Sequence, residues 1–173
     1  MEEIFSRNGI KLAWENIEYD EIQDDTTEAI SMRSCMDLSG KVRTPFFLED
    51  TGLYIDALNG FPGPYSSYVI RKIGLSGILS LLTGQRGAEF KTVITLDSGS
   101  EYLQFTGILR GSISMEPRGS SGFGYDPIFV PEGAVKTLAE MSLEEKNAIS
   151  HRSIATGKLI SYILSRESKD KFQ

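Results

Sequence analysis

The sequence predicts a single domain mixing helices with antiparallel strands, α/β or α+β, on three observations. A helical-period run, Ala29, Met32 and Met36, follows a capping signal at Asp25-Thr26-Thr27-Glu28. Strand-type segments at 90–96 and 102–109 flank Asp97-Ser98-Gly99-Ser100, a good hairpin turn. Ser142-Leu143-Glu144-Glu145 reads as a capping box, and Ile154, Leu159, Ile160 and Ile163 give a final helix its apolar face.

The remaining elements follow in chain order. Residues 1–6 read as the last turns of a helix stopped by Asn8-Gly9, because glycine accepts the left-handed conformation at a helix end. Residues 10–17 alternate loosely and predict a strand, and Gly40 closes the helix opened near Asp25. Phe46-Phe47-Leu48 predicts a short buried strand after Pro45, with Leu53-Tyr54-Ile55 extended beyond Gly52. Residues 66–73 and 76–82 predict two helices split near Gly74. Residues 111–115 extend the second hairpin strand or form a third, and 127–130 is another short strand. From 166 to 173 the tail alternates charges and is expected to fray.

Composition narrows the function. The chain has 173 residues and a net charge of -6, so it offers no basic stripe for a nucleic-acid backbone. No run approaches the ~18 apolar residues of a membrane span, and the charged start does not resemble a secretory signal. One cysteine, Cys35, and one histidine, His151, exclude internal disulfides and imidazole- or thiolate-built metal centres. Any metal would sit on carboxylates, which points to Mg²⁺ or Mn²⁺.

Three islands carry polar residues where core elements would want apolar ones. In Phe46-Phe47-Leu48-Glu49-Asp50-Thr51-Gly52 a hydrophobic strand delivers two adjacent acids to a strand-to-loop junction. Such acids hold a divalent cation and deprotonate a water beside it, although a solvated acidic turn has the same composition. In Ser121-Gly122-Phe123-Gly124-Tyr125-Asp126-Pro127 two glycines bracket an aromatic. The backbone there could approach a flat ligand, or the ring could plug the core. Lys146 and Ser150-His151-Arg152 place two cations and an imidazole near successive helix starts, suited to anionic oxygens or to plain solvation.

These islands, joined by Glu21-Ile22-Gln23, 57–66 (Ala-Leu-Asn-Gly-Phe-Pro-Gly-Pro-Tyr-Ser) and Ala139-Glu140-Met141, stand in an order that resembles the inosine/xanthosine triphosphatase family, pyrophosphatases of noncanonical purine nucleoside triphosphates. The resemblance spans about 19–164 and implies an α/β fold: a long twisted mixed sheet flanked by helices, two lobes and a central cleft, as a homodimer. A cytoplasmic location is expected from the lack of a targeting segment, the unpaired thiol and the nature of the substrate pool. It implies hydrolysis of ITP, dITP or XTP to the monophosphate and pyrophosphate with Mg²⁺, Mn²⁺ being a substitute. By motif, Glu21 and Asp50 are the expected metal carboxylates with Glu49 close by, and Asp50 is the expected general base. Thr51 occupies a substrate-contacting position, and Lys146 is expected to neutralise the leaving pyrophosphate. Phe123 would stack on the purine, Gly124, Tyr125 and Asp126 would line base or sugar, and His151 and Arg152 would recognise the 6-keto edge. A modified-pyrimidine pyrophosphatase of the septum-inhibitor type fits the motifs less well.

The family opens with a strand and a Thr/Ser-Gly-Asn-x-x-Lys loop that cradles the triphosphate. Residues 1–9 match instead the end of the helix after that loop, and Arg7-Asn8-Gly9-Ile10-Lys11 has the residue types in the wrong order. The expectation is therefore one pyrophosphatase domain over 1–173 that is N-terminally shortened, through a start codon placed at an internal methionine. The alternative is a catalytically impaired nucleotide-binding relative that keeps the base pocket.

Overall fold

Alternating apolar residues build the hairpin at the centre of the molecule. The computed structural model describes residues 1–17 and 22–170, with the backbone alone described for Glu3 and 167–170. Strands β3 (Gly87–Asp97) and β4 (Tyr102–Ile113) pair along their whole length. Asp97 Oδ1 accepts from Gly99 N–H at 2.8 Å and Gly99 takes φ +87°, which closes the turn. The candidate third strand at 111–115 is the end of β4.

On the other side of β3 lies β1 (Phe46–Ile55), paired with it over ten residues. Here the structure corrects the sequence reading: β1 is one continuous strand, and Glu49 and Asp50 stand in its middle rather than at a strand-to-loop junction. Ten cross-strand partners on β3 hold the turn-like Glu-Asp-Thr-Gly run extended. β2 (Pro62–Gly63) touches β1 only at Leu53 and Tyr54, and β5 (Phe129–Pro131) pairs with the end of β4. The sheet order is β2-β1-β3-β4-β5, and each described pairing between these strands is antiparallel where the resemblance implies a mixed sheet. A parallel pair needs a crossover helix lying along the sheet. The longest pair, β3 with β4, is joined by the short turn at 98–101, which only antiparallel strands can use.

Helices cover both faces. α1 (Glu2–Arg7) ends at Asn8 as expected, whereas 10–17 forms no strand. Its loose alternation meets no sheet partner among the described residues. α2 (Thr27–Leu38) is capped by Thr26, whose side chain accepts from Ala29 N–H at 3.1 Å. The cap is thus one residue later than the capping box predicted, and Glu28 instead pairs with Lys91 of β3 at 2.9 Å. α2 meets the sheet through small polar contacts: Thr27 with the Tyr54 hydroxyl, and Ser31 Oγ with Thr95 Oγ1 at 2.6 Å. Cys35 is buried there, its thiol pushed up to about 11 by burial and then by Asp97, which makes it a poor nucleophile.

α3 (Ser66–Ser80) breaks at Gly74, φ +65° and ψ -174°, at the predicted split. α4 (Leu143–Ile149) begins at the Ser142 capping box, with Ser142 accepting from Glu145 N–H and Glu145 from Ser142 N–H. α5 (His151–Asp170) packs on the face opposite α2, and its helical backbone continues through 166–170. Two apolar clusters occupy opposite ends of the long strands. One holds Leu53, Ile55, Phe90, Leu109 and Phe129; the other holds Phe5, Ile94, Leu96, Leu159 and Ile160. Each buried Leu, Ile or Phe side chain there is worth roughly 1.5–3 kcal/mol of transfer free energy. Between the clusters lie Glu49, Asp50 and Thr51.

Candidate active site

Because β2 is so short, β1 from Phe46 to Gly52 has no strand on its outer side among the described residues. A cavity of about 270 Å³ opens against that edge. The cavity meets the strand from its side, so four successive residues, Leu48 to Thr51, line it although their side chains alternate between faces. Ile30 and Ser34 of α2 form one wall, and Tyr65, Ser67, Tyr68 and Arg71 at the start of α3 form another.

Ser66 fixes that second wall. Its Oγ accepts from Leu53 N–H at 2.7 Å and donates to the Gly63 carbonyl at 2.6 Å, tying α3 to β1 and β2. The approach requires glycine at 52, where a Cβ would lie 2.6 Å from the Gly63 carbonyl oxygen.

Each acid on β1 has a distinct environment. Asp50 lines the cavity, and its Oδ1 accepts from Thr51 N–H at 2.9 Å. Glu49 accepts from Arg152 Nε at 2.7 and 3.0 Å through its two oxygens. Burial holds the Glu49 carboxyl above its ordinary range, although Arg152 pulls it the other way. Thr51 Oγ1 lies 2.6 Å from Thr92 Oγ1 across the sheet, so its hydroxyl already has a partner. Glu21 lies outside the described residues. Among the described residues, no three carboxylate, imidazole or thiol groups gather at one point.

The second and third islands come together around one ring. Phe123 is 66% exposed, unusual for a large apolar side chain. Lys146 Nζ lies 4.7 Å and the Arg152 guanidinium 5.7 Å from its centroid. Lys146 bonds Asp126 Oδ2 at 2.5 Å, and the same oxygen accepts from Phe123 N–H at 2.8 Å. A continuous chain of contacts therefore runs from Asp126 through Lys146, Phe123 and Arg152 to Glu49, next to Asp50.

Several expectations are redrawn by burial. Tyr125, expected to line base or sugar, is 4% exposed and part of the apolar core. Its hydroxyl donates to the Ser66 carbonyl at 2.8 Å, and burial pushes the phenol pKa up. Asp126, expected to face the ligand, is equally buried and committed to Lys146 and the Phe123 amide. Lys146 is accordingly half of a buried ion pair rather than an unengaged cation. Gly122 is required by Asp126, since a Cβ there would fall 2.2 Å from Asp126 Oδ2. Gly124 has φ +61° and open space around it.

His151, 7% exposed, stacks on Phe90 with centroids 4.8 Å apart at 15°. Burial first, then Arg152 and Lys146, lowers its pKa to about 3, so the ring is neutral at physiological pH. This fixes a sign. An unfolded histidine titrates near ~6.5. Between about pH 6.5 and 3 the unfolded chain therefore holds a proton that the folded chain refuses, and stability falls as pH falls by up to roughly 1.4 kcal/mol per unit. Glu49, shifted upward, contributes with the opposite sign. In urea melts from pH 7 to 4, the stability of wild type relative to His151→Phe should fall as the pH drops, because only the wild type carries this titration. Parallel curves would show that His151 is not held neutral.

The contribution of α3 was not legible beforehand. Ser67, Tyr68 and Arg71 belong to no motif, and only the glycine-rich run before them hinted at a close approach.

The Ham1 family profile matches residues 1–162. A dITP/XTP pyrophosphatase of Thermococcus kodakarensis is 50% identical over 153 residues, 87% of this chain and 83% of that protein. One from Pyrococcus horikoshii is 52% identical over 149 residues, covering 85% and 80%. Among solved structures, a HAM1 protein from Coxiella burnetii superposes with a TM-score of 0.76 at 31% identity, covering 86% of this chain and 81% of that one. The Staphylococcus aureus Ham1 protein gives 0.73 at 29% identity, covering 87% and 82%.

Proposed function

Since the chain belongs to the Ham1 family, we propose that it hydrolyses deaminated purine nucleoside triphosphates (ITP, dITP and XTP) to the monophosphate and pyrophosphate. The supporting observation is the contact chain that links an exposed aromatic ring, two cations and Glu49 to Asp50 at the cavity edge.

Phe123 offers the stacking face for the base, flanked by Lys146 and Arg152. Glu49 engages Arg152 by Nε, which leaves the other guanidinium N–H groups to donate to the 6-keto oxygen. Neutral His151 adds hydrogen-bonding capacity without charge. Adenine would turn its 6-amino donor toward these donors, and such an unpaired buried contact is a strong basis for rejection. Asp126 and Tyr125 act one step back: the first holds Lys146 and the Phe123 backbone, the second ties the loop to Ser66. Gly124 lets the loop turn without a side chain in the way.

Asp50 is the general base. It takes the proton from a water that attacks the α-phosphorus; the new P–O bond forms as the α–β anhydride bond breaks, and pyrophosphate leaves with the electron pair. Thr51 places its amide on Asp50 and its hydroxyl on Thr92, which holds the carboxylate in position. Among the described lining residues the polar groups carry oxygen or nitrogen, with no thiol or imidazole, which fits a hard cation such as Mg²⁺ or Mn²⁺. Asp50 and Glu21 would hold it, and it would supply charge neutralisation for the phosphate oxygens. The resemblance supports a homodimer, and the nucleotide-pool substrate supports work in the cytoplasm.

Pyrophosphate release from ITP, dITP, XTP and ATP with Mg²⁺ tests it. The deaminated substrates should exceed ATP in kcat/KM by about 100-fold or more. Equal rates on ATP would overturn the specificity, and release from none would overturn the activity.

A further inference from the structure

The cavity wall carries two carboxylates, Glu49 and Asp50, and among its described lining residues one cation, Arg71 of α3. We infer that Arg71 binds the terminal phosphates of the substrate, the part that departs as pyrophosphate. The inference rests on the pyrophosphatase reading and adds to it the direction in which the substrate lies.

Phe123, Lys146 and Arg152 are not among the described residues that line the cavity; they connect to it through Glu49. A nucleotide with its base on Phe123 and its α-phosphate facing Asp50 must therefore send its β- and γ-phosphates onward, past β1 and toward the start of α3. A polyphosphate entering a pocket edged by two acids needs cationic compensation there. Arg152 and Lys146 are already committed to Glu49 and Asp126. Arg71 differs: its Nη1 donates to neutral Ser67 Oγ at 3.3 Å, and no carboxylate pairs with it among the described residues. The Ser66 anchor fixes the helix that carries it, so the guanidinium stands on a supported wall. Its planar fork suits phosphate oxygens better than an ammonium would.

Wild type, Arg71→Ala and Arg71→Lys are compared in three measurements with Mg²⁺ present: calorimetric titration with inorganic pyrophosphate, titration with IMP, and ITP turnover. Arg71→Ala should weaken pyrophosphate binding and raise KM for ITP, each about tenfold. IMP affinity should be unchanged, because IMP has no terminal phosphates, and Arg71→Lys should recover part of the loss. Unchanged pyrophosphate affinity in Arg71→Ala, an equal loss of IMP affinity, or a wild type that binds no pyrophosphate would each overturn the inference. Arg71-dependent pyrophosphate binding by a protein that turns over neither ITP nor XTP would sustain it while defeating the reaction.

Discussion

Replacing Asp50 by asparagine is expected to lower kcat for ITP by about a thousandfold, in the range a positioned general base contributes. The change is nearly isosteric. An asparagine oxygen can still accept the Thr51 N–H that Asp50 Oδ1 accepts at 2.9 Å, so the strand and the cavity edge should survive. What disappears is the basicity and the negative charge. IMP and pyrophosphate affinities, measured by calorimetry, should stay within a few-fold, because the groups assigned to base and terminal phosphates are untouched. The assay is run at saturating Mg²⁺, so that weakened metal binding is not mistaken for lost base catalysis. A variant keeping a tenth of wild-type turnover would remove Asp50 from the role.

The second large effect lies away from the acids. Gly107 sits on β4 beneath the first turn of α5, and a Cβ there would fall 2.0 Å from the His151 carbonyl oxygen and 2.6 Å from Ala155 N. Both are backbone atoms of a helix, and neither can rotate aside. Gly107→Ala must therefore lift the start of α5 off the sheet, and with it His151 from Phe90 and Arg152 from Glu49. We expect a loss of about 3 kcal/mol in urea denaturation, at the upper end for overpacking, together with a collapse of discrimination between ITP and ATP. Gly157 provides the contrast within the same helix. It meets nothing within 4 Å, so Gly157→Ala should stabilise by about 0.5–1 kcal/mol through helix propensity alone. A Gly107→Ala protein as stable and as selective as wild type would show that α5 is not seated by that contact.

The sequence disclosed what is local. The hairpin turn, the Ser142 cap, the helix stop at Asn8 and the break at Gly74 each depend on a few adjacent residues, and each is in place. It misled where a partner decides. Glu49-Asp50-Thr51-Gly52 has the composition of a turn, yet β3 holds it as strand; residues 10–17 alternate, yet find no sheet. The site divided the same way. Phe123, Lys146, Arg152 and Glu49 converge, but Lys146, expected at the leaving pyrophosphate, stands instead against Phe123 and Asp126. Tyr125 and Asp126 carry equally polar side chains, but the fold buries them as scaffolding, and burial is a tertiary property. Arg71 reaches the cavity only because Ser66 pins α3, a connection between distant segments that no spacing rule encodes.

β3 has a partner strand on both sides from Ala88 to Asp97, and Thr92 to Asp97 are sealed between α2 and α5. Core strands of this kind open with free energies approaching that of global unfolding. Glu49, Asp50 and Thr51 are bonded directly across from Ile94, Val93 and Thr92 and inherit that rigidity, while Phe123 projects from an irregular segment exposed to water. On the proposed assignment, the acids stand on this central strand pair, while the exposed Phe123 ring stands on a loop whose backbone Asp126 and Tyr125 hold, so accommodation of different purines falls to the ring's own side-chain torsions, with the geometry of bond cleavage left undisturbed.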